Sequence, residues 1–351
     1  VGARGIHLNV GPSHLSDDVL RDVAEIAASG LLSESHRGPA VMDTLKAAVV
    51  NTRAAMEIPP EFEILFQPSA TACMELILRN CVARASTHFV LGAFSKRCAE
   101  TAERVGLRAT SIDVPWGEAP AFEEAPVAAD TELIAIIHCE TSTGVMWPDD
   151  ALRALRARHP EPLIAVDATS TFGALRTDWT QADAWFGSVQ KCVGLPAGLG
   201  YAILGPRVMA RAEALGAARR VAGWQDLLVM RERLALGQTV ETPNVLGIAL
   251  LARQMGRRDL HRVDAGTRAK AAYLAERFGD AAFFVRDPAW RSLTAHTLQV
   301  DDPAGWIARA QAAGHRLGAG YGPLKASCIR VPTYPATSIE EIARVLDAAQ
   351  P

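Results

Sequence analysis

The chain has 351 residues, of which 49% are hydrophobic and 21% charged, and its formal net charge is −3. This is the composition of a globular protein with a sizeable core, organised as two domains or one large one. The charge gives no general attraction to nucleic acid or an anionic membrane, and no apolar run is long enough to span a bilayer.

From the N-terminus, which lacks the apolar stretch of a signal segment, the first clear element is a strand at Glu63–Phe66. It leads through Pro68-Ser69-Ala70-Thr71 into a helix from Ala72 to about Cys81. His88–Leu91 reads as a strand ending at Gly92-Ala93-Phe94, and Leu133–His138 as another that runs into Glu140-Thr141-Ser142-Thr143-Gly144. A helix around Asp150–Arg158 precedes the strand Leu163–Val166, which ends at Asp167. Ala184-Trp185-Phe186 comes next, and Gly200–Leu204 is expected to return antiparallel. Short apolar runs alternating with amphipathic ones predict βαβ units, an α/β class and a mostly parallel sheet.

After roughly residue 250 the pattern changes. Helices around Val245–Met255 and Ala265–Phe278 are followed by short strands near Thr297–Val300 and Cys328–Val331. A last helix, Ser338 to Ala348, carries Ser338 as cap with Glu341 three residues on. The expected division is a large domain over 16–250 and a smaller α+β domain over 251–351, with segment 1–15 packing near the latter. The basic stretch from Arg253 to Lys270 includes Asp259 and Asp264 and reads as a solvated helix face. The six cysteines (73, 81, 98, 139, 192 and 328) have no Cys-x-x-Cys or metal-ligand spacing and read as buried thiols of a cytoplasmic protein.

The polar candidates follow the carboxyl ends of successive strands, where open α/β sheets bind ligands. Lys191 is one of only five lysines beside 31 arginines. Arginine stays charged, whereas a lysine among small apolar neighbours shifts its pKa and can form a Schiff base with an aldehyde. Asp167, at a strand end 24 positions earlier, needs a cation or good hydrogen bonds to be tolerated there. Together the two point to a pyridoxal phosphate site, with the acid facing the ring nitrogen; singly, they read as a surface lysine and a turn-forming aspartate. Ser69-Ala70-Thr71 can cradle a phosphate with helix-start amides or simply cap the helix. Phe94 can stack on a ring or belong to the core. Thr141 and Thr169 suit a ring oxygen or phosphate, and equally a turn.

In this order these pieces resemble the class V branch of the fold-type I pyridoxal-phosphate enzymes, and within it the phosphoserine aminotransferases. The carrying segments are Asn9-Val10-Gly11-Pro12-Ser13, Ser35-His36-Arg37, Pro68–Thr71, Glu140–Gly144, Val166-Asp167-Ala168-Thr169-Ser170, Gln190-Lys191, Gly314-His315-Arg316 and Ile329-Arg330-Val331. The resemblance implies that Lys191 bonds the cofactor, Asp167 partners the pyridine nitrogen and Phe94 stacks on the ring, where the family usually has tryptophan. Thr141 and Gln190 match ring-side contacts, and Ala70 and Thr71 the phosphate turn. Thr242 matches a phosphate ligand given by the second subunit of a homodimer. His36-Arg37 and His315-Arg316 match the pairs that hold the substrate's phosphate, and Arg330 the arginine that takes the α-carboxylate.

The implied reaction passes the amino group of glutamate to 3-phosphohydroxypyruvate in two half-reactions, giving O-phosphoserine and 2-oxoglutarate. Two departures stand out: Glu241 replaces a usual asparagine, and the segment Leu317–Ile329 is longer than in familiar bacterial enzymes. The latter partly resembles alanine–glyoxylate and serine–pyruvate aminotransferases, which leaves a small-acid aminotransferase open. Cysteine desulfuration through Cys328 and a non-catalytic binding protein that keeps the fold also stay open.

Overall fold

The structure, a computed structural model, describes residues 5–216 and 221–351. β1 (His7–Leu8) precedes two helices, α1 (Asp17–Ala28) and α2 (Pro39–Ala55). Ser16 caps α1 by accepting from Val19 N, and Pro39 opens α2, where its missing N–H costs nothing. β2 (Glu63–Gln67), α3 (Ala70–Cys81), β3 (Ala85–Val90), α4 (Ala93–Arg104) and β4 (Arg108–Asp113) come next. They are followed by β5 (Leu133–Ile137), the short pair β6 (Cys139–Glu140) and β7 (Val145–Met146), α5 (Asp149–Arg158), β8 (Leu163–Asp167), β9 (Ala184–Ser188) and β10 (Gly200–Leu204).

Seven of these strands form one sheet in the order β2-β10-β9-β8-β5-β3-β4. β10 runs antiparallel to both neighbours, as its position after the lysine turn predicts, while β9, β8, β5, β3 and β4 pair in parallel. The inner strands are buried almost throughout because both faces are covered, and β5 is apolar at every position. Ile134, Ile136, Ile164 and Val166 face a core completed by α1, α2 and a later helix over Val245–Gly256, whereas Leu133, Ala135, Leu163 and Ala165 face one completed by α3, α4 and the helix over Pro206–Leu215. β4 closes one edge with Arg108, Ser111 and Asp113 exposed, which discourages further strand pairing.

The rest of the chain contributes α6 (Pro206–Leu215), α7 (Leu227–Ala235), α8 (Val245–Gly256), α9 (Leu260–Phe278), β11 (Ala295–Gln299), α10 (Pro303–Ala312), β12 (Arg316–Ala319), β13 (Cys328–Pro332) and α11 (Ile339–Ala349). A second sheet has the order β1-β12-β13-β11, so the chain's first strand lies beside a late one, with His7 opposite Arg316. Its core joins Leu8, Leu298, Ile329 and Val331 to Ile342 and Leu346 of α11. Ser338 and Glu341 form the full reciprocal cap of that helix.

The change of core takes place along α9 rather than at residue 250, which falls inside α8. Leu260 packs in the large core and Leu274, four turns on, in the small one. Of the segment 1–15, residues 1–4 lie outside the described residues. No helix among the described residues is long and apolar enough to cross a membrane.

Two elements depart from the sequence expectation near the site. Phe94 lies in the first turn of α4, a helix whose buried face is made of small residues, and not in a free loop. The stretch 317–329 is not one long loop: it is divided among β12, a 3-10 turn over Gly322–Ala326 and the start of β13.

Candidate active site

The carboxyl ends of β5, β8 and β9 meet the first turns of α3 and α4 around one cavity. Lys191 stands three residues past β9, in the turn before β10, and its side chain is 9% exposed. Its Nζ donates to Thr141 Oγ1 at 3.1 Å and Ser170 Oγ at 3.0 Å, and lies 4.9 Å from the centroid of the Phe94 ring. Burial pulls the lysine's pKa below its ordinary value, with Asp167 foremost among the groups that oppose it. The N-terminal segment closes over the lysine: Ser13 N donates to Gln190 O at 2.8 Å, and a Cβ on Gly11 would meet Lys191 Cε at 3.2 Å.

Asp167 ends β8 and lines the same cavity. Its Oδ1 accepts from the backbone N (2.8 Å) and the hydroxyl of Thr169, which fixes the carboxyl plane. Burial pushes the carboxyl's pKa up, against the hydrogen bonds from Thr169 and the charge of Lys191. A carboxyl in that state suits a partner able to share its proton. A heterocyclic ring nitrogen is such a partner.

On the third side, Ser69 caps α3 by accepting from Ala72 N at 3.2 Å, leaving the Ala70 and Thr71 amides at a helix start. The turn is pressed against β10 at Gly200, where any Cβ would lie 2.5 Å from the Ser69 carbonyl carbon. Only glycine permits that approach.

Thus Ala70, Thr71, Phe94, Thr141, Asp167, Thr169, Gln190 and Lys191 all line one cavity. Arg330, on β13, does not line the cavity but braces its Thr141 wall, donating to Thr141 O at 2.9 Å and Ala319 O at 2.7 Å. The remaining candidates lie elsewhere in the single chain. Thr242 is exposed and lines a separate pocket with Trp224 and Pro68. Arg37 and Arg316 are exposed, His315 Nδ1 accepts from Ile6 N, and neither His-Arg pair lines the cavity.

Ser170 and Glu140 belong to segments whose residue types were recognised, but their roles depend on tertiary contacts. Glu140 is fully buried and accepts from Ser95 N at 2.8 Å and Ser142 Oγ at 2.5 Å, tying the start of α4 to the Thr141 loop. Tyr321, whose ring lies 5.6 Å from that of Phe94, and Arg97 became visible only with the fold. Cys328 is fully buried in β13 with its pKa raised by burial, which makes it a poor nucleophile.

The residues present fit pyridoxal phosphate. A buried amine, a carboxyl in need of a ring-nitrogen partner, a flat aromatic wall and a helix-start cradle converge, and the buried Oε1 of Gln190 has no hydrogen-bond partner among the described residues.

Residues 8–301 match the family described as Aminotransferase class-V. The chain is 29% identical to a phosphoserine aminotransferase of Corynebacterium glutamicum, over 96% of this chain and 92% of that one. It superposes on the crystal structure of a phosphoserine aminotransferase from Cytophaga hutchinsonii with a TM-score of 0.92 and 34% identity, over 98% of both chains. An alanine–glyoxylate aminotransferase from Nostoc sp. shares the fold, with a TM-score of 0.83 and 22% identity over 100% of this chain and 95% of that one.

Proposed function

The chain belongs to the class-V aminotransferases, transaminases that work with pyridoxal phosphate, and we propose that it is a phosphoserine aminotransferase. In this reading it moves the amino group of glutamate to 3-phosphohydroxypyruvate. The observation that carries the chemistry is the buried Lys191 amine, held by Thr141 and Ser170 in the cavity that Asp167 also lines. The full-length likeness to phosphoserine aminotransferases supports the substrate.

When bound, pyridoxal phosphate supplies an aldehyde to carry the amino group and a ring to hold the charge left at the substrate's Cα. Phe94 would give that ring a flat wall, and the Ala70 and Thr71 amides would receive its phosphate. Asp167, with its plane fixed by Thr169, would hold the ring nitrogen and share a proton with it. Thr141 and Gln190, which line the same cavity, would contact the ring edge. Lys191 Nζ, biased toward the neutral amine by burial, would be the base that takes the proton from the substrate's Cα and the acid that gives it back. Thr141 and Ser170 fix where that nitrogen sits in the cavity, so it stays in reach of Cα once the substrate has displaced it.

Arg330 takes the α-carboxylate, its guanidinium braced by two backbone carbonyls. His36-Arg37 and His315-Arg316 hold the substrate's phosphate, and Thr242 completes the cofactor site from a second copy of the chain in a homodimer. The exposed Trp224 beside Thr242 in its pocket fits a surface that a second copy covers.

The test is a half-reaction screen of the yellow holoenzyme against O-phosphoserine, serine, alanine, glutamate and aminoethylphosphonate. O-phosphoserine and glutamate are expected to bleach the visible band at low concentration. Equal or better response to serine and alanine would replace this reading with a small-acid aminotransferase.

A further inference from the structure

We propose that Arg97 is a specificity-determining residue, which holds the side-chain anion of the substrate from within the same chain. This rests on the aminotransferase reading above and supplies the group that meets the far end of the substrate. Arg97 stands one helical turn beyond Phe94 on α4, and i,i+3 spacing places the two side chains side by side. Its Cζ lies 5.4 Å from the centroid of the Phe94 ring.

Among the described residues, Arg97 is the only cation besides Lys191 that lines the cavity. No carboxylate pairs with its guanidinium among the described residues, whereas Arg79 on α3 and Arg104 on the same helix are each tied to a glutamate one turn away. An exposed arginine stacked on a ring but without an acid keeps its fork of donors for an anion that arrives from solution.

Its position selects the substrate's far end. The Phe94 ring meets Tyr321 at 5.6 Å, and Tyr321 lies 5.5 Å from the Arg330 guanidinium. One guanidinium thus flanks each ring of an aromatic pair. With the α-carboxylate on Arg330, a substrate that extends across this pair brings its side-chain anion toward Arg97. Phosphate and the γ-carboxylate of glutamate both match the fork.

The experiment compares holoenzyme carrying Arg97→Met or Arg97→Lys with the unaltered protein, using O-phosphoserine, glutamate and alanine half-reactions and a titration of apoenzyme with pyridoxal phosphate. Arg97→Met should raise KM for the two anionic side chains about ten- to a hundredfold, the cost of one charged hydrogen-bonded contact. Its kcat, its alanine reaction and its cofactor affinity should hold, and Arg97→Lys should recover most of the loss. Uniform weakening across all three amino acids with poorer cofactor binding would assign Arg97 to the cofactor's phosphate and overturn the proposal. So would unchanged KM values. An unaltered enzyme that takes neither O-phosphoserine nor glutamate would instead bring down the underlying reading.

Discussion

The cavity around Lys191 and the basic residues assigned to the substrate's phosphate differ in how much of themselves one chain completes. Lys191, Thr141, Thr169 and Ser170 are buried and Asp167 half-buried, all gathered at strand ends and held by hydrogen bonds within the chain. Arg37, Arg316 and Thr242 stand exposed and outside the cavity. A proton-transfer group needs a fixed position and a desolvated setting, both of which a sheet provides. A phosphate arriving from solvent can be met by surfaces that two copies bring together. The proton-transfer groups and the two His-Arg pairs therefore fall in separate regions, and substitutions should separate them.

The largest expected effect lies inside. Lys191→Ala should lower turnover with glutamate at least about a thousandfold, the scale of a lost positioned base, while the protein still binds pyridoxal phosphate. Substantial turnover in single-turnover kinetics would remove Lys191 from its role. Asp167→Asn should cost about a hundred- to a thousandfold in kcat, comparable to losing a preorganised electrostatic partner. It should act alike on every amino donor, because the ring nitrogen is common to all.

In the outer region the effects should be smaller and selective. Arg37→Ala and Arg316→Ala are expected to raise KM for O-phosphoserine about ten- to a hundredfold and to leave alanine untouched. Equal losses with both amino acids would erase the distinction between the two regions. Phe94→Ala should weaken cofactor affinity by a factor of about two to ten, the range of one aromatic contact. A titration of apoenzyme reads it directly.

The interior also sets the acid limit of the fold. His88, His138 and His296 are buried, and burial pulls their pKa values down to about 4, about 4 and about 3. Between these values and the ordinary 6.5, the unfolded chain binds protons that the folded one refuses. Stability contributed by the neutral rings is therefore present above pH 6.5 and is lost as pH falls toward 4 and then 3. The slope is about 1.4 kcal/mol per pH unit for each histidine. Urea midpoints at pH 7 and pH 5 should show the loss, and a flat profile would contradict it.

Much of the interior was legible in the sequence because its signals are local. An apolar run that ends in Asp167, a lone lysine among small residues and a Ser-Ala-Thr turn before a helix each announce a strand end or helix start. β5 and β8 were readable for the same reason. α4 was not: its buried face is made of small side chains, Ser95, Cys98, Ala99, Thr101 and Ala102, with no large apolar residue to mark it. Arg97 and its place beside Phe94 were hidden with it. Ser170 and Glu140 were present in recognised segments, but contacts spanning 21 and 45 positions decide what they touch. The pairing of His7 with Arg316 across the whole chain gives no local pattern at all.

The most direct measurement is borohydride reduction of the yellow holoenzyme, followed by proteolysis and mapping of the pyridoxyl-bearing peptide. The modification is expected on Lys191 alone among the five lysines. A label on Lys46, Lys96, Lys270 or Lys325, or no label on any lysine, would contradict the assignment on which the mechanism depends.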